Sequence, residues 1–281
     1  MATVYEVYAV HPDEQYAAQA AHAAFDLVDR LERELSRFQP NSDITRINQL
    51  TAGTSTRVTP STLECLVIAR HMFELTGGAF DISIGSGLPS LEIDPDELAV
   101  HATTGGVQLD LGGIGKGYAV DLVAELLEDW GLDHSLVHGG FSSVRALEPP
   151  ADGEGWPLTL SDPRDPSRVL ARMSARQVAL GASGIRKKDH IVDPQSGQPV
   201  RGRLASWVAV PRPPTAPDGG PRIAPATVAD ALTTAFMMLS EDRIAGLCEQ
   251  TPGVEAWLLL DGDVRQLRKF GNGSRRGGAR P

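Results

Sequence analysis

The run Leu109-Asp110-Leu111-Gly112-Gly113-Ile114-Gly115-Lys116-Gly117-Tyr118-Ala119-Val120-Asp121 constrains this chain more than any other. Gly105-Gly106 makes a turn before it, and Val107 to Leu111 alternates apolar and polar residues, the period of a short strand. Beyond it Val120, Val123, Ala124 and Leu127 recur at helical steps, which predicts an amphipathic helix to about Trp130, stopped by Gly131. The stretch reads as strand, glycine turn, helix. Glycines leave backbone N–H groups bare, and a helix start adds partial positive charge, so the place suits an anion. Lys116 adds a full cation. Neither common phosphate loop is present: a P-loop needs Gly where Asp110 stands and Ser or Thr where Gly117 stands, and Gly113-x-Gly115-x-Gly117 misses the last spacing of the dinucleotide fingerprint. On these residues alone, a plain tight turn and an anion site both remain open.

The chain has 281 residues, enough for a sizeable core in one large domain or two small ones. A net charge of −10 argues against non-specific nucleic-acid binding. Cys65 and Cys248 are too few and too far apart for a disulfide framework or a cysteine metal site, and read as core. No stretch approaches ~18 consecutive apolar residues, and no basic-then-apolar leader opens the sequence, which predicts a cytoplasmic protein without a membrane span. No internal repeat is visible.

Thr3 to Val10 reads as a strand, and Asp13 caps a predicted helix from Glu14 to Leu35 with Ala17, Ala20, Ala21, Ala24, Phe25, Val28, Leu31 and Leu35 on one face. Ser36 to Asn48 reads as polar loop and turn. Thr59-Pro60 starts a helix that Gly77-Gly78 stops. Strands are predicted at Ser135–His138, Trp156–Leu160, Val169–Val178, Ala205–Val210 and Val254–Leu260, the last returning through Val264 to Leu267. Pro211 to Pro225 is a Pro- and Gly-rich loop. His190-Ile-Val-Asp193-Pro194-Gln-Ser-Gly197 places a histidine on a strand before a tight turn. Such a His can be a proton acceptor near neutrality, or simply bond to its own turn. Asp230 and Thr234 lie one helical turn apart on a helix expected to continue through Phe236 to Cys248. Both offer hard oxygen suited to Mg²⁺, but Thr227-x-x-Asp230 is also a capping-box pattern.

Several segments together resemble one family. Asp110-Leu-Gly-Gly-Ile-x-Lys116-Gly-Tyr-Ala-x-Asp121, Gly77-Gly-Ala79-Phe80-Asp81, His190-x-x-Asp193-Pro-x-x-Gly197-x-Pro199 and Ala229-Asp230-Ala-Leu-x-Thr234-Ala are similar to motifs of the ApbE family, the FAD:protein FMN transferases. Ser36-Arg-Phe38 through Asn48 and Ala179 to Gly184 match more loosely, and the resemblance covers residues 1 to about 270. It implies an α+β fold of mixed, largely antiparallel sheets with flanking helices and a site between two lobes. One domain would span 1–267, and Arg268 to Pro281 would be a basic, Gly-rich disordered tail. It implies Mg²⁺-dependent transfer of FMN from FAD, as substrate, to a Ser or Thr hydroxyl of an acceptor protein, releasing AMP.

By the same resemblance Met1, Phe38, Ala79, Phe80, Asp81, Asp110 and Lys116 would contact FAD, and the Gly113 carbonyl, Asp230 and Thr234 would hold Mg²⁺. His190 would be the catalytic base. The chain departs from the family pattern at His138 to Ser143, where His replaces Asn and Phe-Ser-Ser follows the glycine pair, and at Ile185 to Asp189, where a hairpin is shortened around Arg186-Lys187-Lys188. Hydrolysis of FAD to FMN and AMP, or FAD binding without turnover, are the alternatives.

Overall fold

The computed structural model describes residues 3–185, 191–212, 224–262 and 266–271. Strand β1 (Tyr5–Ala9) leads to helix α1 (Glu14–Leu35), started by the Asp13 carboxylate, which accepts from the Tyr16 N–H. The buried seam of α1 is Ala20, Ala24, Leu27, Val28, Leu31 and Leu35. Phe25, expected on that seam, is instead exposed; its position lies a quarter-turn around the helix, and Leu27 fills the place.

The segment expected to be only loop holds a short helix, α2 (Asp43–Ile47), capped by Ser42. Buried Asp43 ties it down by accepting from Thr59 N–H at 2.7 Å, Thr59 Oγ1 at 2.9 Å and Arg46. Helix α3 (Pro60–Leu75) then starts on Thr59 as expected. Strands β2 (Thr54–Arg57), β3 (Leu91–Asp94) and β4 (Ala99–Ala102) form a small antiparallel sheet in the order β2-β4-β3.

Val107 to Asp110 belongs to no strand, contrary to its alternating pattern. The reason is Asn48: its side-chain amide takes the N–H of Leu109 at 2.7 Å and donates to the Leu109 carbonyl at 3.1 Å, replacing a strand partner. A 3₁₀ turn at Leu111–Gly113 leads into α4 (Gly115–Asp129).

The main sheet has seven strands, all antiparallel. Its members are β1, β5 (Ser135–Gly139), β6 (Ser143–Ala146), β9 (Val178–Gly184), β10 (Arg203–Pro211), β11 (Glu255–Leu260) and β12 (Leu267–Gly271), in that spatial order. β7 (Trp156–Asp162) and β8 (Asp165–Ala175) make a separate hairpin. The strand predicted over Val169–Val178 is two: β8 ends at Ala175, and Gln177, at φ +47°, turns the chain into β9.

Helix α5 (Pro225–Phe236) ends well before Cys248. Ser240 accepts from the Arg243 N–H and starts a new helix, α6 (Glu241–Gln250). β12 carries regular structure to Gly271, past the expected start of the tail at Arg268, because it pairs with β11. Residues 213–223, 263–265 and 272–281, on which much of the expected Pro211–Pro225 loop, part of the expected return through Val264 to Leu267 and most of the expected tail fall, lie outside the described residues.

One face of the main sheet buries its apolar side chains against α1, α4, α5 and α6, and this core continues through α3 to the small sheet. The other face packs Leu136, Val144, Leu180 and Trp207 against Leu158 and Leu160 of the β7–β8 hairpin. Thus β10, from Leu204 to Val210, is buried on both faces and reads as a continuous apolar run. The fold is the expected α+β arrangement of antiparallel sheets with flanking helices. Among the described residues no helix is long and apolar enough to cross a membrane.

Candidate functional site

Helices α4 and α5 meet at their first turns. Only glycine fits at 117: a Cβ there would lie 2.2 Å from the Ala226 carbonyl oxygen. The orphan N–H groups of each helix start are satisfied by a carboxylate from the other helix. Asp121 of α4 accepts from Ala226 N–H at 3.0 Å, Thr227 N–H at 2.8 Å and Thr227 Oγ1 at 2.7 Å. In return Asp230 of α5 accepts from the Gly117 N–H at 2.8 Å. The capping box predicted within α5 is therefore not formed: Thr227 donates to Asp121, and the carboxylate of Asp230 points away from its own helix start.

That carboxylate, 4 % exposed, collects further partners. Ser143 Oγ lies 2.7 Å from each of its oxygens, and Lys116 Nζ stands 3.7 Å from Oδ2 while donating to the Gly112 carbonyl at 3.3 Å. Burial pushes the Asp230 carboxyl up from 3.8 to about 6, against the opposing pull of Lys116, Ser143 and the Gly117 N–H. Burial, followed by the charge of Asp230, also raises the Tyr5 hydroxyl.

A carboxyl that titrates near 6 when folded and 3.8 when unfolded holds its proton more tightly in the folded state. Its contribution to metal-free stability is therefore full below about pH 4 and is lost as pH rises through about 6. The urea midpoint of the metal-free protein, minus that of Asp230→Asn, is expected to fall between pH 4 and 7; a flat difference would contradict it.

Thr234, one turn further along α5, donates to the Asp230 carbonyl at 3.2 Å and lies 3.3 Å from Ser183 Oγ. Ser183 also donates to Thr233 Oγ1 at 3.0 Å. Across from Thr234 is the glycine turn: a Cβ on Gly113 would be 3.3 Å from Thr234 Oγ1. The structure thus brings Gly113, Asp230, Thr234 and Lys116 together. A carboxylate whose charged form is disfavoured by burial, a hydroxyl and a turn of bare backbone form a hard-oxygen set that fits Mg²⁺. Among the described residues there is no group of three or more His, Cys, Asp or Glu that could hold a metal ion.

The residues expected at the flavin divide into two groups. Phe38 is 81 % exposed, with the Arg37 guanidinium 4.8 Å from its ring centroid, and Arg37 pairs with Asp110 at 3.3 Å. Asp110 caps the 3₁₀ turn by accepting from Gly112 N–H at 2.8 Å, so it fixes the turn that Lys116 follows. Ala79 and Phe80 are buried, and the Phe80 ring packs behind Gly113 as core. Asp81 commits its carboxylate to the N–H groups of Ser83 and Gly85 and to Ser83 Oγ. Met1 and His190, with Arg186 to Asp189, lie outside the described residues.

The turn that follows His190 is described. Asp193 accepts from Gln195 N–H and Ser196 Oγ, bonds that hold its carboxyl below the usual range. Pro194 presses on Gly85, where a Cβ would meet its carbonyl at 2.6 Å. This turn therefore sits on the Gly77–Gly85 segment that carries Phe80.

Of the residues that depart from the expected pattern, Ser143 enters the site and His138 does not. His138 shares a sheet face with Leu136, on the hairpin side, and sets its ring edgewise to Tyr8 at 6.3 Å. Asp121, Ser143 and Ser183 had no functional reading in the sequence. Asp121 and Ser183 lie in segments that match the family pattern, but their partners are distant in the chain, so the sequence signalled no role for them.

Fold and site together define an α+β protein with a lysine and a cluster of side-chain and backbone oxygens at the meeting of two helix starts. The chain belongs to the ApbE family, whose model matches residues 1–101 and 86–258. It is similar to the FAD:protein FMN transferase of Treponema pallidum, 27% identical over 307 residues, covering 90% of this chain and 80% of the relative. The FAD:protein FMN transferase of Vibrio cholerae serotype O1 is 23% identical over 261 residues, covering 79% and 74%. Among solved structures, flavin transferase ApbE from Vibrio cholerae superposes with a TM-score of 0.80 at 22% identity, covering 98% of this chain and 95% of the other. The apo flavinyl transferase ApbE of Pseudomonas stutzeri gives 0.78 at 25% identity, with 95% and 90% covered.

Proposed function

We propose that this protein transfers FMN from FAD to a Ser or Thr hydroxyl of an acceptor protein and releases AMP. The observation that carries this reading is the gathering of Gly113, Asp230, Thr234 and Lys116 at one glycine turn, in a chain of the ApbE family. The acceptor oxygen attacks the FMN phosphorus, the bond from that phosphorus to the bridging oxygen breaks, and the electron pair leaves with AMP. His190 takes the hydroxyl proton. Lys116, in the first turn of α4, holds the pyrophosphate in line. Asp230, Thr234 and the Gly113 carbonyl would hold Mg²⁺, which supplies neutralisation of charge on the phosphates. Lys116 reinforces that neutralisation from the protein side.

The test is incubation with FAD and Mg²⁺, with and without a Thr-bearing peptide, followed by chromatography of FAD, FMN and AMP and mass spectrometry of the peptide. Flavinylated peptide with AMP is the expected result. Free FMN with AMP would mean that water is the acceptor, and intact co-eluting FAD would mean a binding protein. His190→Ala is expected to slow transfer by about 10²–10⁴-fold while FAD still binds. Transfer at the parental rate would assign the base elsewhere.

A further inference from the structure

Asp121 is not among the residues gathered at the Gly113 turn, yet it bonds the start of the helix that carries Asp230. It is 2 % exposed, and all three hydrogen bonds it accepts come from the first turn of α5. That first turn has no cap of its own: Ala224 stands at the cap position without a side-chain bond, and Pro225 follows. Without Asp121, two buried backbone N–H groups and a buried hydroxyl would lose their acceptor. The opposite end of the device is the Gly117 N–H on Asp230. The two carboxylates cross between the helices, and both bonds are made only at one mutual register of α4 and α5.

Asp121 also faces Arg145 of β6, which is 4 % exposed and whose Nη1 has no hydrogen-bond partner. The guanidinium balances the buried Asp121 charge without competing for its oxygens. A chain of alternating charge results: Arg145, Asp121, the α5 start, Asp230, and then the α4 start together with Lys116. Ser143 and Arg145 project from the same strand onto the helix side, so β6 supports both carboxylates at once.

We infer that Asp121 is a positioning residue for the cation site: by capping α5 from α4 it fixes Asp230 and Thr234 opposite Gly113. The inference rests on the Mg²⁺ reading above. Asp121→Asn keeps the shape but turns an amide N–H toward N–H donors, so α5 should shift against α4. Thr227→Val removes one of the three bonds and leaves both backbone bonds, which makes it the milder variant should Asp121→Asn not fold. Ile244→Val, a core change in α6 distant from the site, is the control for plain destabilisation.

The measurement is Mn²⁺ binding followed by electron paramagnetic resonance in the presence of FAD, beside thermal unfolding without metal. Asp121→Asn is expected to weaken Mn²⁺ at least tenfold and Thr227→Val severalfold. Ile244→Val should lower the melting temperature and leave Mn²⁺ affinity unchanged. Parental affinity in folded Asp121→Asn, or in Thr227→Val if the first does not fold, would overturn the positioning role alone. Failure of the parent protein to bind Mn²⁺ would overturn the cation site and the inference with it.

Discussion

Asp230→Asn is expected to leave the fold intact and to lower FMN transfer by about 10²–10³-fold, the scale seen when a single electrostatic contact to a transition state is removed. The fold survives because an asparagine oxygen can still accept from the Gly117 N–H, and the Ser143 hydroxyl can turn to accept from the amide. What is lost is the negative charge beside Lys116 and the anionic ligand for a cation. Steady-state transfer with a Thr peptide, together with circular dichroism, separates the two. A folded variant that transfers at the parental rate would remove Asp230 from the reaction.

Gly117→Ala should be the most damaging single methyl in the chain's site region. Its Cβ would meet the Ala226 carbonyl oxygen at 2.2 Å, the Ala226 carbonyl carbon at 2.6 Å and Thr227 N at 2.9 Å. All three are backbone atoms, so no flexible side chain can yield, and α4 and α5 must separate. Overpacking of this kind costs about 3 kcal/mol or more, which lowers the melting temperature by roughly 6–12 °C for a chain of this size. Transfer should fall as well, since the same separation withdraws the Gly117 N–H from Asp230. Gly246→Ala in α6 is the matched control: its added methyl meets open space, and the helix interior favours alanine. A Gly117→Ala protein that melts with the parent would contradict the close approach of the two helices.

Local signals in the sequence located the elements that local chemistry decides. Asp13 and Thr59 started α1 and α3 where their side chains predicted, and the glycine turn led into α4. Several of the misreadings involve a partner distant in the chain or a polar side chain standing in for backbone. Asn48 replaced the strand partner of Leu109, 61 residues away. The capping box at Thr227 was a valid local pattern defeated by Asp121, 106 residues earlier, which reached the same N–H groups. The apolar run from Phe236 to Cys248 hid the break at 237–240, because helical periodicity carries across a short gap. For the site, the metal-ligand candidates and Lys116 were legible as motif residues. Ser143 was not: a serine after a glycine pair has no spacing that announces a carboxylate 87 residues later.

The main sheet divides the molecule into a working half and a supporting half. Ala79, Phe80 and the core of helices α4 and α5, which carry Lys116, Asp230 and Thr234, pack on the helix side, whereas the β7–β8 hairpin covers the reverse face through an apolar layer of its own. The tip of that hairpin, at Pro163-Arg164, is tied to the body by the exposed Arg164–Asp261 pair. Sequence can therefore drift, lengthen or accept a fused module at that tip while the chemistry on the other side keeps its geometry. For anyone wishing to tether or label this protein, the hairpin tip is the natural handle.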